Sequence, residues 1–128
     1  MTGATVLVVD DESGIRSTIT EILSDEGYTV LTAADANEAS RYYKVSSLNL
    51  VLLDIWMPAM DGISLLKQWS ESGRLKCPVV IMSGHGTVET AVEATRLGAF
   101  DYIEKPLSLA QLLRTVESAL RQHAAGAV

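Results

Sequence analysis

At 128 residues the chain has room for one domain, and a 48% share of hydrophobic side chains is enough to bury a sizeable core. Sixteen acids against ten Lys and Arg leave a net charge of −6, which argues against a nucleic-acid surface and suits a cation site. A single cysteine, Cys77, excludes an internal disulfide and a zinc cluster, and no apolar run approaches the roughly 20 residues of a membrane span, so a soluble, cytoplasmic protein is expected.

In chain order, the first apolar run, Thr5–Val9, ends in the acidic pair Asp10-Asp11. Ile15, Ile19, Ile22 and Leu23 recur at helical spacing and predict a helix over 14–26, stopped at Gly27. A second strand follows at Thr29–Thr32, and Asp35-Ala36-Asn37-Glu38 has capping-box spacing at the start of a helix over 36–44. Leu50–Leu53 predicts a third strand, ended by Asp54; Asp61 before Gly62 predicts a cap for a helix over 62–72, closed near Gly73. The run Val79–Met82 ends in Ser83 and leads to a helix over 88–97 and to Gly98. Phe100–Ile103 is the fifth strand, with Lys105-Pro106 just beyond it. Ser108-Leu109-Ala110-Gln111 opens the last helix, over 108–122, whose stripe is Leu109, Leu112, Leu113, Val116 and Leu120. Residues 1–123 thus form one domain, and 124–128 form a tail or the start of a linker.

Several of the strands are continuously apolar, as strands covered on both faces are. Five of them alternating with five helices predict an α/β fold with a parallel sheet and right-handed crossovers. Such sheets hold ligands beyond the carboxyl ends of their strands, where Asp10, Asp11, Asp54, Ser83 and Lys105 fall.

Three carboxylates drawn toward one small volume call for a neutralising cation. Oxygen donors without His or Cys favour Mg²⁺, with Mn²⁺ as a substitute, bound directly by Asp11 and Asp54 and through water by Asp10. A solvated turn with Ser13 as helix cap is the competing reading of Asp10-Asp11 taken alone. Lys105 either balances these acids and binds a phosphoryl oxygen or is an ordinary surface lysine; its bond to Pro106 is a candidate cis peptide. Ser83 either donates to a phosphoryl oxygen or serves as a turn residue before Gly84-His85-Gly86. An ionised carboxylate beside a metal and a lysine is a nucleophile for phosphoryl groups, giving an aspartyl phosphate at Asp54.

The pair Asp10-Asp11, Asp54 followed by Met57-Pro58 and Asp61-Gly62, the hydroxyl of Ser83 and the pair Lys105-Pro106 together resemble the receiver domain of two-component response regulators. Each motif is weak alone; the ordered set, over about residues 5–121, is specific. The resemblance implies a flavodoxin-like (CheY-like) doubly wound sheet of order 2-1-3-4-5, with Asp54 accepting a phosphoryl group from a sensor histidine kinase. It also implies Mg²⁺ ligation by Asp11, Asp54 and the backbone carbonyl of Trp56, and it makes Tyr102 an aromatic that turns inward when Ser83 moves to the phosphoryl group. Trp56 and His85 occupy positions that tune hydrolytic water in this family. The chain would catalyse its own phosphorylation and dephosphorylation without being a conventional enzyme.

Ser83-Gly84-His85-Gly86-Thr87 with Glu104-Lys105-Pro106-Leu107 look most similar to the nitrogen-regulation class of NtrX or NtrC type, whose full-length members add an ATPase and a DNA-binding domain to control transcription. The face of the fourth helix, fifth strand and fifth helix is implied to switch and to form a homodimer, with no direct nucleic-acid or membrane contact by this domain. Other readings are a phosphate-independent interaction module with a vestigial acidic pocket, a haloacid-dehalogenase-type phosphohydrolase, and a flavin carrier. Asp54-Ile55-Trp56 lacks the second acid that the phosphohydrolase needs, and Asp10-Asp11-Glu12 would repel a flavin phosphate.

Overall fold

A computed structural model describes residues 3–71, 73, 75–84 and 88–126. Its elements are β1 Thr5–Val9, α1 Ser13–Asp25, β2 Thr29–Ala33, α2 Ala36–Val45, β3 Leu50–Asp54, α3 Gly62–Ser70, β4 Val79–Ser83, α4 Val88–Arg96, β5 Asp101–Glu104 and α5 Leu109–Gly126. The strands pair in parallel in the order β2-β1-β3-β4-β5, the flavodoxin-like arrangement.

The two-residue period of the strands sorts the core into two layers. Leu7, Val9, Val51, Leu53, Val79 and Ile81 pack with Ala39 and Tyr43 of α2, Leu65, Leu66 and Trp69 of α3, and Ala94 of α4. Val6, Val8, Leu50, Leu52, Val80, Met82 and Ile103 pack on the other face with Ile19 and Leu23 of α1 and Leu112, Val116 and Leu120 of α5. Both faces of β1, β3 and β4 are therefore dry, which is why these strands read as unbroken apolar runs. Burial of each such side chain contributes about 2 kcal/mol.

Helices α1 and α4 end in the same way. Gly27 N–H donates to the Ser24 carbonyl at 3.0 Å and Tyr28 N–H to Leu23 at 3.1 Å; Gly98 and Ala99 repeat the pattern on Thr95 at 3.0 Å and Ala94 at 2.9 Å. This double closure requires a left-handed residue, and φ is +91° at Gly27 and +103° at Gly98. At the start of α2 the Asp35 carboxylate accepts the Glu38 N–H at 2.9 Å, while the Glu38 carboxylate reaches back to the Ala34 N–H at 2.8 Å. The expected reciprocal cap is therefore present, shifted one residue back on its second arm.

Most boundaries shift by a residue or two from expectation, and three departures have a local cause. Ser13 is the first helical residue of α1 and not its cap; Glu12 holds the cap position without a side-chain hydrogen bond, because the opening helical bond runs from the Arg16 N–H to the Glu12 carbonyl at 3.1 Å. Strand β5 runs one residue later than 100–103, since its pairing with β4 continues to Ser83 and Glu104. Helix α5 extends past 122 to Gly126, through alanines that favour helix.

Ala59 is the one non-glycine described residue with positive φ, at +70°. Ala59→Gly is expected to raise stability by about 0.5–1 kcal/mol, seen as a higher urea midpoint, because glycine takes that conformation without a Cβ clash. No helix among the described residues is long and apolar enough to cross a membrane.

Candidate functional site

The parallel register delivers the chemistry-bearing residues to one edge. Asp10 follows β1, Asp54 ends β3 opposite Met82, Ser83 ends β4 opposite Glu104, and Lys105 follows β5. The Lys105 N–H donates to the Ser83 carbonyl at 2.8 Å, which extends the ladder one residue past β5 and turns the lysine over the rim. The bond from Lys105 to Pro106 is cis.

Lys105 Nζ donates to Asp10 Oδ2 at 2.7 Å and forms an ion pair with Asp54 Oδ1 at 3.2 Å. Asp10 is fully buried and Asp54 only 3% exposed, so one ammonium serves two desolvated carboxylates. Burial, and next the charge of Asp10, push the Asp54 carboxyl up to about 6; the charge and hydrogen bond of Lys105 oppose this, and Asp11 adds to it. Burial works to lower the pKa of Lys105, but its hydrogen bond to Asp10 and the charges of Asp54 and Asp10 outweigh that and raise it.

Asp10, Asp11 and Glu12 each place one carboxylate oxygen within 4.8 Å of the others. The cluster offers oxygen donors alone, Asp11 and Glu12 are exposed, and this donor set fits a hard divalent cation. Asp54 is not in that group; it reaches Asp10 through Lys105. Ser83 is fully buried at the end of β4. Trp56 stands 57% exposed on the loop after Asp54. The ring of Tyr102 packs against the layer that holds Ile81 and Ala94, with its hydroxyl buried and without a hydrogen-bond partner among the described residues. His85, Gly86 and Thr87 lie outside the described residues.

The motif Asp61-Gly62 anchors the loop that follows Asp54. Asp61 caps α3 by accepting the Ser64 N–H at 2.8 Å, and the Gly62 N–H donates to the Ile55 carbonyl at 2.8 Å. A Cβ at position 62 would collide with the backbone carbonyl of Asp54. Gly62→Ala is therefore expected to destabilise the chain by about 3 kcal/mol, measured by urea unfolding, because the obstacle is backbone and cannot rotate away.

Residue types singled out neither Glu12 as a cation donor nor Arg16 as a member of this rim. Glu12 merely continues an acidic run, and that continuation was the available signal. Arg16 Nη1 donates to the Asp10 carbonyl at 2.7 Å, a contact with a backbone acceptor that leaves no trace in residue types. Cys77 is buried and its thiol is pushed up to about 12 by that burial, against a smaller pull from Lys76, so it carries no thiolate.

Residues 6–117 match the family of the response regulator receiver domain. The chain is 46% identical over 105 residues to an NtrX-like response regulator of Rickettsia bellii, a match covering 80% of this chain and 22% of that protein. It therefore spans about a quarter or less of that relative's length. It is similar to the crystal structure of the receiver domain of NtrX from Brucella abortus, with a TM-score of 0.82 and 45% identity over 91% of this chain and 98% of that one. A solution structure of a beryllofluoride-activated NtrC4 receiver domain dimer matches with a TM-score of 0.86 and 38% identity, over 93% and 98% of the two chains.

Proposed function

The chain belongs to the response regulator receiver domain family, and on that premise we propose that Asp54 is the phosphoacceptor of a cytoplasmic two-component switch, taking its phosphoryl group from a sensor histidine kinase. The observation that carries this reading is the buried Asp54 carboxylate, ion-paired at 3.2 Å with a lysine that Asp10 holds at 2.7 Å. A carboxylate oxygen of Asp54 bonds to phosphorus while the bond from phosphorus to the leaving group breaks, and the leaving group departs with the electron pair. Lys105 lies beside that oxygen and offsets charge on the phosphoryl oxygens, and the Ser83 hydroxyl donates to another of them.

Asp11, Asp54 and the Trp56 carbonyl would hold Mg²⁺, with Asp10 acting through water and Glu12 close by. When bound, the ion supplies charge neutralisation at the phosphoryl group. Trp56, exposed beside the acceptor, and His85 tune access of hydrolytic water. Tyr102, its hydroxyl unpartnered among the described residues, follows Ser83 inward when the site is phosphorylated and biases α4, β5 and α5. That face shows Val88, Val92 and Leu109, 81%, 45% and 55% exposed, and forms a homodimer in the active state. In a longer protein the output would be ATPase and DNA-binding domains that control transcription.

The experiment is intact mass after incubation with acetyl phosphate, with and without Mg²⁺. One added phosphoryl group that requires the metal supports the reading. No gain despite Mg²⁺ binding would favour the phosphate-independent interaction module.

A further inference from the structure

Every polar atom of Asp10 is engaged, and not all of its partners belong to the acceptor site. The N–H donates to the Ala33 carbonyl at 3.1 Å, Oδ1 accepts the Glu12 N–H at 2.9 Å and Oδ2 accepts Lys105 at 2.7 Å. The remaining atom, the main-chain carbonyl, accepts Arg16 Nη1 at 2.7 Å. Arg16 sits in the first turn of α1, where the helix dipole disfavours a cation, and that turn holds no acid to offset it. Among the described residues it forms no ion pair with Asp11 or Glu12, whose carboxylates remain open. Its guanidinium is turned instead onto the peptide that joins Asp10 to Asp11.

We propose that Arg16 is a positioning residue for the divalent-cation site: by clamping the Asp10 carbonyl it fixes the peptide plane between Asp10 and Asp11, and with it the direction in which Asp11 offers its carboxylate. The inference rests on the receiver reading. Arginine suits this task because it stays charged at every working pH and donates from a rigid fork. Asp10 alone cannot hold the plane, since its side chain is already divided between Glu12 and Lys105. Loss of such an outer contact weakens metal binding without removing a ligand.

The test is calorimetric Mg²⁺ titration of the native chain, Arg16→Ala and Arg16→Lys, with phosphorylation by acetyl phosphate at saturating Mg²⁺ and urea unfolding in EDTA alongside. Arg16→Ala should raise the Mg²⁺ Kd about tenfold and leave the phosphorylation rate at saturating metal within about threefold. Arg16→Lys, which keeps a cationic donor, should recover most of the lost affinity. An unchanged Kd in Arg16→Ala overturns the proposal, whatever happens to stability in EDTA. If Arg16→Ala does not fold, Arg16→Gln decides by the same reading: a weaker Kd supports the proposal and an unchanged one overturns it. A native chain that takes up neither Mg²⁺ nor phosphoryl overturns the receiver reading itself, a result distinct from an unchanged Kd in the variants.

Discussion

Asp54→Asn is expected to abolish phosphoryl uptake and, in EDTA, to stabilise the chain. The first effect follows because the amide is no nucleophile toward phosphorus, and Asp10, the other buried carboxylate on Lys105, has both oxygens engaged by the Glu12 N–H and by Lys105. The second follows from linkage. The folded pKa of Asp54, about 6, lies above the ordinary value of 3.8, so the folded state binds the proton more tightly than the unfolded chain. Stability conferred by the protonated form is fully present below pH 3.8 and declines as pH rises to about 6, where the loss is complete. Two pH units correspond to a loss on the order of 3 kcal/mol at neutral pH. Asn mimics the neutral form, so the variant should be more stable at pH 7 by up to about that amount and should lack this segment of pH dependence. Urea midpoints of both chains from pH 4 to 7 check it; parallel curves would contradict it.

Lys105→Met is expected to act in the opposite direction on stability. It leaves the carboxylates of Asp10 and Asp54, with side chains 0% and 4% exposed, facing each other without a counter-charge. Removing one member of a buried ion pair costs about 3–5 kcal/mol, and the partial exposure of Lys105 places this case at the lower end, about 3 kcal/mol at pH 7. The cost should shrink as pH falls and Asp54 takes up a proton, so the stability gap between native and variant chains narrows toward pH 4. On the alkaline side the contribution of Lys105 itself is lost: with its pKa raised above 10.5, it is fully present below that pH and lost as pH climbs beyond it. Phosphorylation by acetyl phosphate should slow by about a hundredfold, as when an oxyanion donor is removed. An unaltered rate with unaltered stability would remove Lys105 from the site.

Much of this fold was legible in the residues. The strands announced themselves because β1, β3 and β4 are dry on both faces and end abruptly in Asp10, Asp54 and Ser83. Strand order was not legible in spacing; it came with the resemblance. Which helices share a face was equally hidden, since alternation within a strand defines two faces without saying whether α2 or α5 covers one of them. At the rim, residue types placed Lys105 near the acids, but its division between Asp10 and Asp54 depends on a register across β1, β3 and β5. The Ser13 cap failed because the helix opens one residue earlier, with the Arg16 N–H on the Glu12 carbonyl at 3.1 Å, and local patterns do not fix a helix start to the residue. Arg16 was illegible for a different reason: its partner is a carbonyl, which every residue has.

The most direct test of the account is to locate the phosphoryl group on the chain. Borohydride reduction after treatment with acetyl phosphate and Mg²⁺ converts an acyl phosphate on aspartate to homoserine, which fragmentation mass spectrometry assigns to one position. Homoserine is expected at position 54 alone; homoserine at position 10 or 11, or unmodified Asp54 in a chain that has gained phosphate, would rule out Asp54 as the sole acceptor.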